Sequence, residues 1–412
     1  MPKEYIRWAT KTVKKATTVR RIVSVSGARQ AGKTTLTKQA ISKNNTFRTL
    51  DDPAFLKAAL DSPKEFILHN KPTLVIDEIQ KAPILLPIIK MQVDNDNRNG
   101  QFVITGSADV QSLPEVNESL AGRIKNVRLR TLTEGEIRGI EPTFLDNMFN
   151  KKFPFQLNDS SKKDILNIAF RGGYPEILLL SEKDKKDWHK EYINILLTRD
   201  LREITNIRKI DILEKMVLVL ASWSSKFINI DTICKSFEIS KQTVNSYINS
   251  LENLYIFDKL SSWIKTDYER VSKKDKWFIT DTGLMASLLN WKVNDVLLDV
   301  DKPGKIVETL VFNELSAIIG LNNEYSLYHY RDREQREIDF IVEREDDGAL
   351  LLIETKAGSN ISKDDFVHIE WFKNNLAKDK KCIGIILYSG KDTLHFGKDL
   401  VAIPTASLWN NW

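Results

Sequence analysis

At 412 residues the chain is too long for one ordinary domain, and two or three are expected. Its 42% hydrophobic and 28% charged residues suit a globular protein with ample core, and a net charge of +5 permits a nucleic-acid partner without demanding one. Two distant cysteines, Cys234 and Cys382, exclude a disulfide scaffold or zinc ribbon and fit a reducing compartment. No apolar run reaches the roughly 18 residues of a membrane span, so no membrane partner is expected. The basic start "MPKEYIRWATKTVKKATTVRR" lacks the apolar core of a secretory signal. It reads as a surface helix, and the expected location is cytoplasmic.

Residues 21 to about 140 alternate apolar strands with helical stretches: "RRIVSVSG", "TFRTLDD", "PTLVIDE", "GQFVITGS" and "IKNVRLRTL" are the strands. Continuous apolar strands between helices predict a parallel sheet covered on both faces, an α/β core. From about 160 to 215 the pattern is helical, interrupted at "GGYPE". Residues 212–260 give three short helices with a start signal at Ser240, then a β-hairpin with a basic tip. That cadence predicts a winged helix. A last α/β unit follows, with a helix ("IVETLVFNELSAIIG"), strands "EIDFIVE" and "ALLLIETKAG", another helix and a final strand, "CIGIILYSG".

Gly27-Ala28-Arg29-Gln30-Ala31-Gly32-Lys33-Thr34 fits G-x-x-x-x-G-K-[ST] between a strand and a helix. Glycines let backbone N–H groups curl around a phosphate, and the helix N-terminus adds partial positive charge. Lys33 is expected on the β- and γ-phosphates of ATP, the Thr34 hydroxyl on Mg²⁺, and Thr35 beside them. "TLVIDEIQ" ends a strand in two carboxylates: Asp77 for Mg²⁺ through water, and Glu78 to polarise the attacking water. Thr105 and Ser107, ending "FVITGS", are expected to sense the γ-phosphate from a neighbouring strand. Arg123 in "SLAGRI" and Arg171 in "FRGGYPE" are candidates for transition-state charge, and a structural role fits the spacing equally well.

The second constellation is "EIDFIVEREDDGALLLIETK". Residues two apart on a strand share a face, so Glu354 and Lys356 project together. Pairing across "REDDG" brings Asp339 beside them, and Glu308 on the preceding helix completes the group. Three carboxylates suit Mg²⁺ or Mn²⁺, and a lysine can stabilise a charged phosphate. The alternative is a hairpin with exposed acids and a salt-bridged lysine.

The chain resembles the bacterial and archaeal AAA-type P-loop ATPases (AAA_14) that carry a C-terminal DUF4143 domain. The resemblance rests on "GARQAGKTTL", "LVIDEIQKAP", "FVITGSAD", "SLAGRI", "GGYPE", "LLTRDL", "WFITDTGLMASLL", "REQREIDFIV" and "IETKAG", in order along nearly the whole chain. It implies an additional-strand ATPase core over 1–145, a helical linker or lid over 146–210, a winged helix over 211–292, and a PD-(D/E)xK, restriction-endonuclease-like α/β domain over 293–412. It also implies Walker roles for Lys33, Thr34, Asp77 and Glu78, an arginine role for Arg123, and a nuclease-like core of Glu308, Asp339, Glu354 and Lys356.

Two functions follow as expectations. One is an ATP-driven enzyme that binds nucleic acid, DNA first, and cleaves phosphodiesters with a metal. The other is a regulatory or adaptor ATPase whose winged-helix and nuclease-like domains only bind. The recognition helix "KQTVNSYINSLENL", with Lys241, Gln242 and Asn245, is nearly neutral, so the basic tip at Arg270, Lys273, Lys274 and Lys276 is the expected phosphate contact. Arg123 acting across a subunit boundary would require a homo-oligomer.

Overall fold

The computed structural model describes residues 4–41, 44–107, 120, 122–158, 160–201, 210–264 and 274–411. The chain divides into two compact units, residues 1–131 with 249–256 and residues 132–248 with 257–412.

In the first unit, helix α1 (Ala9–Val19) leads into β1 (Ile22–Ser26), and α2 (Lys33–Ala40) follows the glycine-rich turn. Strands β2 (Thr46–Thr49), β3 (Leu74–Asp77), β4 (Phe102–Gly106) and β5 (Ile124–Arg128) complete a five-stranded sheet of order β2-β3-β4-β1-β5. Every pairing is parallel. β1, β3 and β4 are buried along their whole length, which is why they read as unbroken apolar runs. Ile22, Ile76, Phe102 and Ile104 pack with Leu85, Leu86, Ile89 and Val93 of helix α3 (Leu85–Asn95). Each such side chain contributes about 1.5–3 kcal/mol by burial. The decisive feature is β4, which lies between β1 and β3, so the strand that carries Thr105 separates the phosphate-loop strand from the acid-bearing one.

In the second unit, Ser161 caps α4 (Lys162–Arg171) with a capping box to Asp164. Helices α5 (Ile210–Ser222), α6 (Ile230–Phe237) and α7 (Lys241–Asn253) follow, then a three-stranded antiparallel sheet of order β6-β8-β7 from Lys226–Phe227, Lys276–Ile279 and Phe257–Leu260 respectively. Asp281 caps α8 (Thr282–Leu288) and also accepts the Gly173 N–H at 2.7 Å, fixing "GGYPE" against "DTGL". Pro303 opens the long helix α9 (Lys302–Ile319), its fixed φ suiting a first turn.

The C-terminal sheet has six strands, β9 (Tyr325–Arg331), β10 (Glu337–Arg344), β11 (Leu350–Lys356), β12 (Cys382–Tyr388), β13 (Leu394–Gly397) and β14 (Leu400–Pro404), in the order β13-β14-β12-β11-β10-β9. Helix α10 (Val367–Asn375) lies between β11 and β12 in the chain. β10 and β11 pair antiparallel, as expected across "REDDG", whereas β11, β12 and β14 run parallel. The sequence reading stopped at β12 and also missed β9. No helix among the described residues is long and apolar enough to cross a membrane.

Candidate functional site

The turn after β1 adopts a conformation that few residues tolerate. Gly32 has φ 95° and Gln30 φ 66°. At Gly27 any Cβ would lie 2.1 Å from the Leu129 carbonyl oxygen, so the chain passes too close for a side chain. Gly32 then starts α2, whose first residue, Lys33, is buried and donates to the Gly27 and Ala28 carbonyls at 3.1 Å each. Ala28 and Ala31 are buried, Arg29 is half-buried, and Thr35 is exposed on α2.

The strand ends place the acids beside this loop. Thr34 Oγ1 donates to Asp77 at 3.1 Å (Oδ2) and 3.3 Å (Oδ1). From β4 the Thr105 hydroxyl donates to Asp77 Oδ1 and accepts the Glu78 N–H at 3.2 Å. Burial raises the Asp77 pKa, opposed by the Thr105 hydroxyl. Glu78 sits at φ 59°, a strained conformation for a non-glycine residue. Its Oε2 accepts from Gln80 Nε2 at 2.5 Å and from Ser107 Oγ at 3.1 Å, and Gln80 also donates to Ser107 at 2.9 Å. Sequence reading did not single out Gln80, although its place two residues after Glu78 is the available signal.

Arg123 is not with this group. It precedes β5, and its carbonyl accepts the N–H of Ile22, the first residue of β1. That is the opposite edge of the parallel sheet from the loop, which follows the last residue of β1. Its guanidinium meets Asp94 of α3 at 2.5 and 3.1 Å. The expectation is therefore corrected for its own chain: the length of a five-residue strand, roughly 15 Å, keeps it from its own loop. Arg171 forms an ion pair with Glu134.

In the second unit the acids converge as the strand pattern predicts, but on an ammonium group. Lys276, the first residue of β8, is 2% exposed, and its Nζ lies 2.5 Å from Glu308 Oε1, 2.7 Å from Glu337 Oε1 and 3.3 Å from Asp339 Oδ1. Asp339 Oδ2 accepts the Thr355 N–H and hydroxyl at 2.9 and 2.8 Å. Burial chiefly, then Asp339, pushes Glu308 up to about 8, and burial likewise raises Glu354 well above the carboxylate range. Burial opposes the charge on Lys276, yet Glu308, Asp339 and Glu337 together hold it protonated well above the usual lysine value. Lys356, 43% exposed, reaches Asp365 at 3.2 Å.

One expectation is corrected here, and another is met by a different arrangement. A buried lysine stands between Glu308 and Asp339, two of the three acids expected on a metal, and among the described residues no group of three acids, histidines or cysteines is arranged to hold one. Asp339 is further engaged by Thr355, and Lys356 is turned to Asp365. Lys276 is also no exposed phosphate contact. Arg270 and Lys273 lie outside the described residues, and Lys274, Lys241, Gln242 and Asn245 are exposed. Glu337 escaped sequence reading, and Lys276 was placed in the wrong role.

Family comparisons match three consecutive stretches: an AAA domain over residues 19–138, a domain of unknown function (DUF8612) over 162–295, and another (DUF4143) over 303–408. An uncharacterized protein of Mycobacterium tuberculosis is 27% identical over 324 residues, covering 78% of this chain and 67% of its own. One from Methanocaldococcus jannaschii is 26% identical over 339 residues, covering 78% and 72%. Among solved structures, a Walker-type ATPase of Pyrococcus abyssi aligns with 68% of this chain and 94% of its own, at 10% identity and a TM-score of 0.41. Residues 19–138 are thus similar to an AAA domain, and the glycine-rich loop Gly27–Thr34 lies within that stretch.

Proposed function

We propose that the chain is a Mg²⁺-dependent ATP hydrolase whose C-terminal domain serves to bind rather than to cut. The observation that supports hydrolysis is the linked set Thr34–Asp77–Thr105–Glu78 beside the glycine-rich loop. In this reading the loop N–H groups and Lys33 hold the phosphates of ATP. Thr34 and Asp77 offer adjacent hard oxygen donors, which fit a Mg²⁺ ion that keeps part of its water shell. Bound Mg²⁺ supplies charge neutralisation at the phosphates. Glu78, anchored through Oε2 by Gln80 and Ser107, orients the attacking water and takes its proton on Oε1. Arg123 acts from a second copy of the chain, which makes the enzyme a homo-oligomer.

The adaptor reading of the second unit is favoured by Lys276, whose ammonium group already occupies the space between Glu308 and Asp339 that a nuclease would keep for metal. No phosphodiester cleavage is assigned. Helices α5–α7 with strands β7 and β8 are taken as a winged helix that meets DNA by phosphate contacts around Lys274. The domain divisions follow the four segments given above.

The test of hydrolysis is turnover and nucleotide binding in two variants. Lys33→Ala should lose both, whereas Glu78→Gln should bind ATP as the parent does and lose turnover by about 10²-fold or more. Full turnover in Glu78→Gln would remove Glu78 from the base role.

A further inference from the structure

A cavity of about 390 Å³ opens in the second unit beside the turn between β10 and β11, between the end of α10 and the start of β12. Leu350 lines it from one end of β11, whereas Glu354 and Lys356 stand at the other end, so it is separate from the lysine–carboxylate cluster. Seven of its fifteen lining residues are lysine or arginine and one, Asp399, is acidic. Four carboxylates meet these cations. Asp399 pairs with Lys151 at 2.5 Å and Glu343 with Lys380 at 2.5 Å. Asp346 and Asp347 pair with Arg344 at 3.1 and 2.8 Å, and Asp347 also lies 3.4 Å from Lys381.

Three cations are left over. Lys373, Lys378 and Lys398 have no carboxylate within salt-bridge distance among the described residues. Lys373 is half-buried, with Nζ 3.5 Å from the Lys398 and Asp399 carbonyls, and burial lowers its pKa against the opposing pull of Asp399 and Glu370, whereas Lys378 and Lys398 are exposed at the mouth. A half-buried ammonium group flanked by further cations gains from an anion that joins them.

We propose that this cavity binds a compact phosphorylated ligand whose negative charge meets Lys373, Lys378 and Lys398. Lysines act as point charges that donate to phosphate oxygens from several directions, unlike the planar fork of arginine, which suits carboxylates as well. The volume is that of a small-molecule site, about 300–1,000 Å³. A nucleic-acid strand instead needs an open groove that tracks its backbone.

The test is lysine acylation of the full chain read residue by residue by mass spectrometry, with tripolyphosphate as the probe. At ten times its dissociation constant the probe should cut labelling of Lys373, Lys378 and Lys398 about tenfold. Lys33→Ala should leave that protection intact, which separates it from the phosphate loop. Lys378→Glu combined with Lys398→Glu should abolish protection of Lys373 while ATP turnover stays at the parent level. The proposal is overturned if labelling is unchanged, if sodium chloride at matched ionic strength protects equally, or if a single-stranded oligonucleotide protects and tripolyphosphate does not.

Discussion

Lys276 Nζ lies 2.5 Å from Glu308 Oε1, in a setting where only 2% of the lysine side chain is exposed. A strand of the hairpin and a helix of the C-terminal domain are thus joined by a buried ammonium–carboxyl hydrogen bond, and the same ammonium also reaches Glu337 and Asp339. Removing one member of such a group leaves the others buried without a counter-charge. Lys276→Met is expected to destabilise the second unit by about 3–5 kcal/mol, measured by chemical denaturation. Adding Glu308→Gln should return part of that loss, and an additive double variant would show that the two side chains do not interact.

The same cluster sets a pH dependence. Glu308 holds its proton up to about 8 in the folded chain, chiefly through burial, whereas an unfolded chain releases it near the ordinary value of about 4.3. The folded state therefore binds the extra proton between these values, and its stability falls as pH rises through that window. Denaturation midpoints should decline from about pH 5 to about pH 8 in the parent and decline less steeply in Glu308→Gln, where the raised Glu354 still contributes. Equal slopes in the two proteins would place the proton elsewhere.

At the nucleotide site, Thr105 should control the ionisation of Asp77. Burial raises the Asp77 carboxyl and the Thr105 hydroxyl counters it, so Thr105→Val should move Asp77 further up. The acid limb of the kcat/KM profile for ATP should then shift to higher pH. Ser107→Ala touches Glu78 rather than Asp77 and should leave that limb in place. An acid limb that shifts equally in both variants would mean that Asp77 does not set it.

The N-terminal sheet was legible because its signals are local. A glycine spacing, an acid pair after three apolar residues, and strands buried on both faces all lie within short windows. Those windows also located β10, β11 and the side-by-side placement of Asp339 and Glu354. Lys276 was misread because a lysine near other charges looks solvated, and only tertiary packing draws it inward. Strand β13 is mostly exposed and β9 half-buried, so neither shows the alternation that marks a strand. Arg123 follows a loop in the sequence, and its end of the sheet became plain only with the β1–β5 register.

Arg123 is expected to serve a neighbouring copy. Turnover per chain should therefore rise with protein concentration, and mixtures of Arg123→Ala with Glu78→Gln should recover part of the parent rate. Each variant supplies what the other lacks at a shared site. Sedimentation of the mixture checks assembly. Absence of recovery in an assembled mixture would leave Arg123 with a structural role that includes its pairing with Asp94.

Charge reversal of Lys274 together with Arg270 and Lys273 should weaken DNA binding and reduce the salt slope by about three, roughly one per lost phosphate contact. Lys241→Ala on α7 should change neither. A salt slope equal to the parent's after reversal of the three would remove the hairpin from the interface.

The lysine at the centre of the acidic cluster also predicts how the second unit meets metal. An ammonium group already contacts Glu308, Glu337 and Asp339, and Thr355 engages the second oxygen of Asp339. A dication could enter only by displacing a buried charge that has no other partner there, a step costing several kcal/mol. Calorimetry of the full chain with Mn²⁺, in a Lys33→Ala and Asp77→Asn background that weakens the nucleotide site, should therefore show the same heats with or without Asp339→Asn. Taking the lysine away changes the balance, because grouped carboxylates repel and a dication relieves them. Mn²⁺ should then raise the melting temperature of Lys276→Met while leaving that of the parent where it was. A Mn²⁺ site in the parent that disappears with Asp339→Asn would reverse this ordering, make Lys276 a displaceable stand-in, and restore metal-dependent cleavage as the function of the domain.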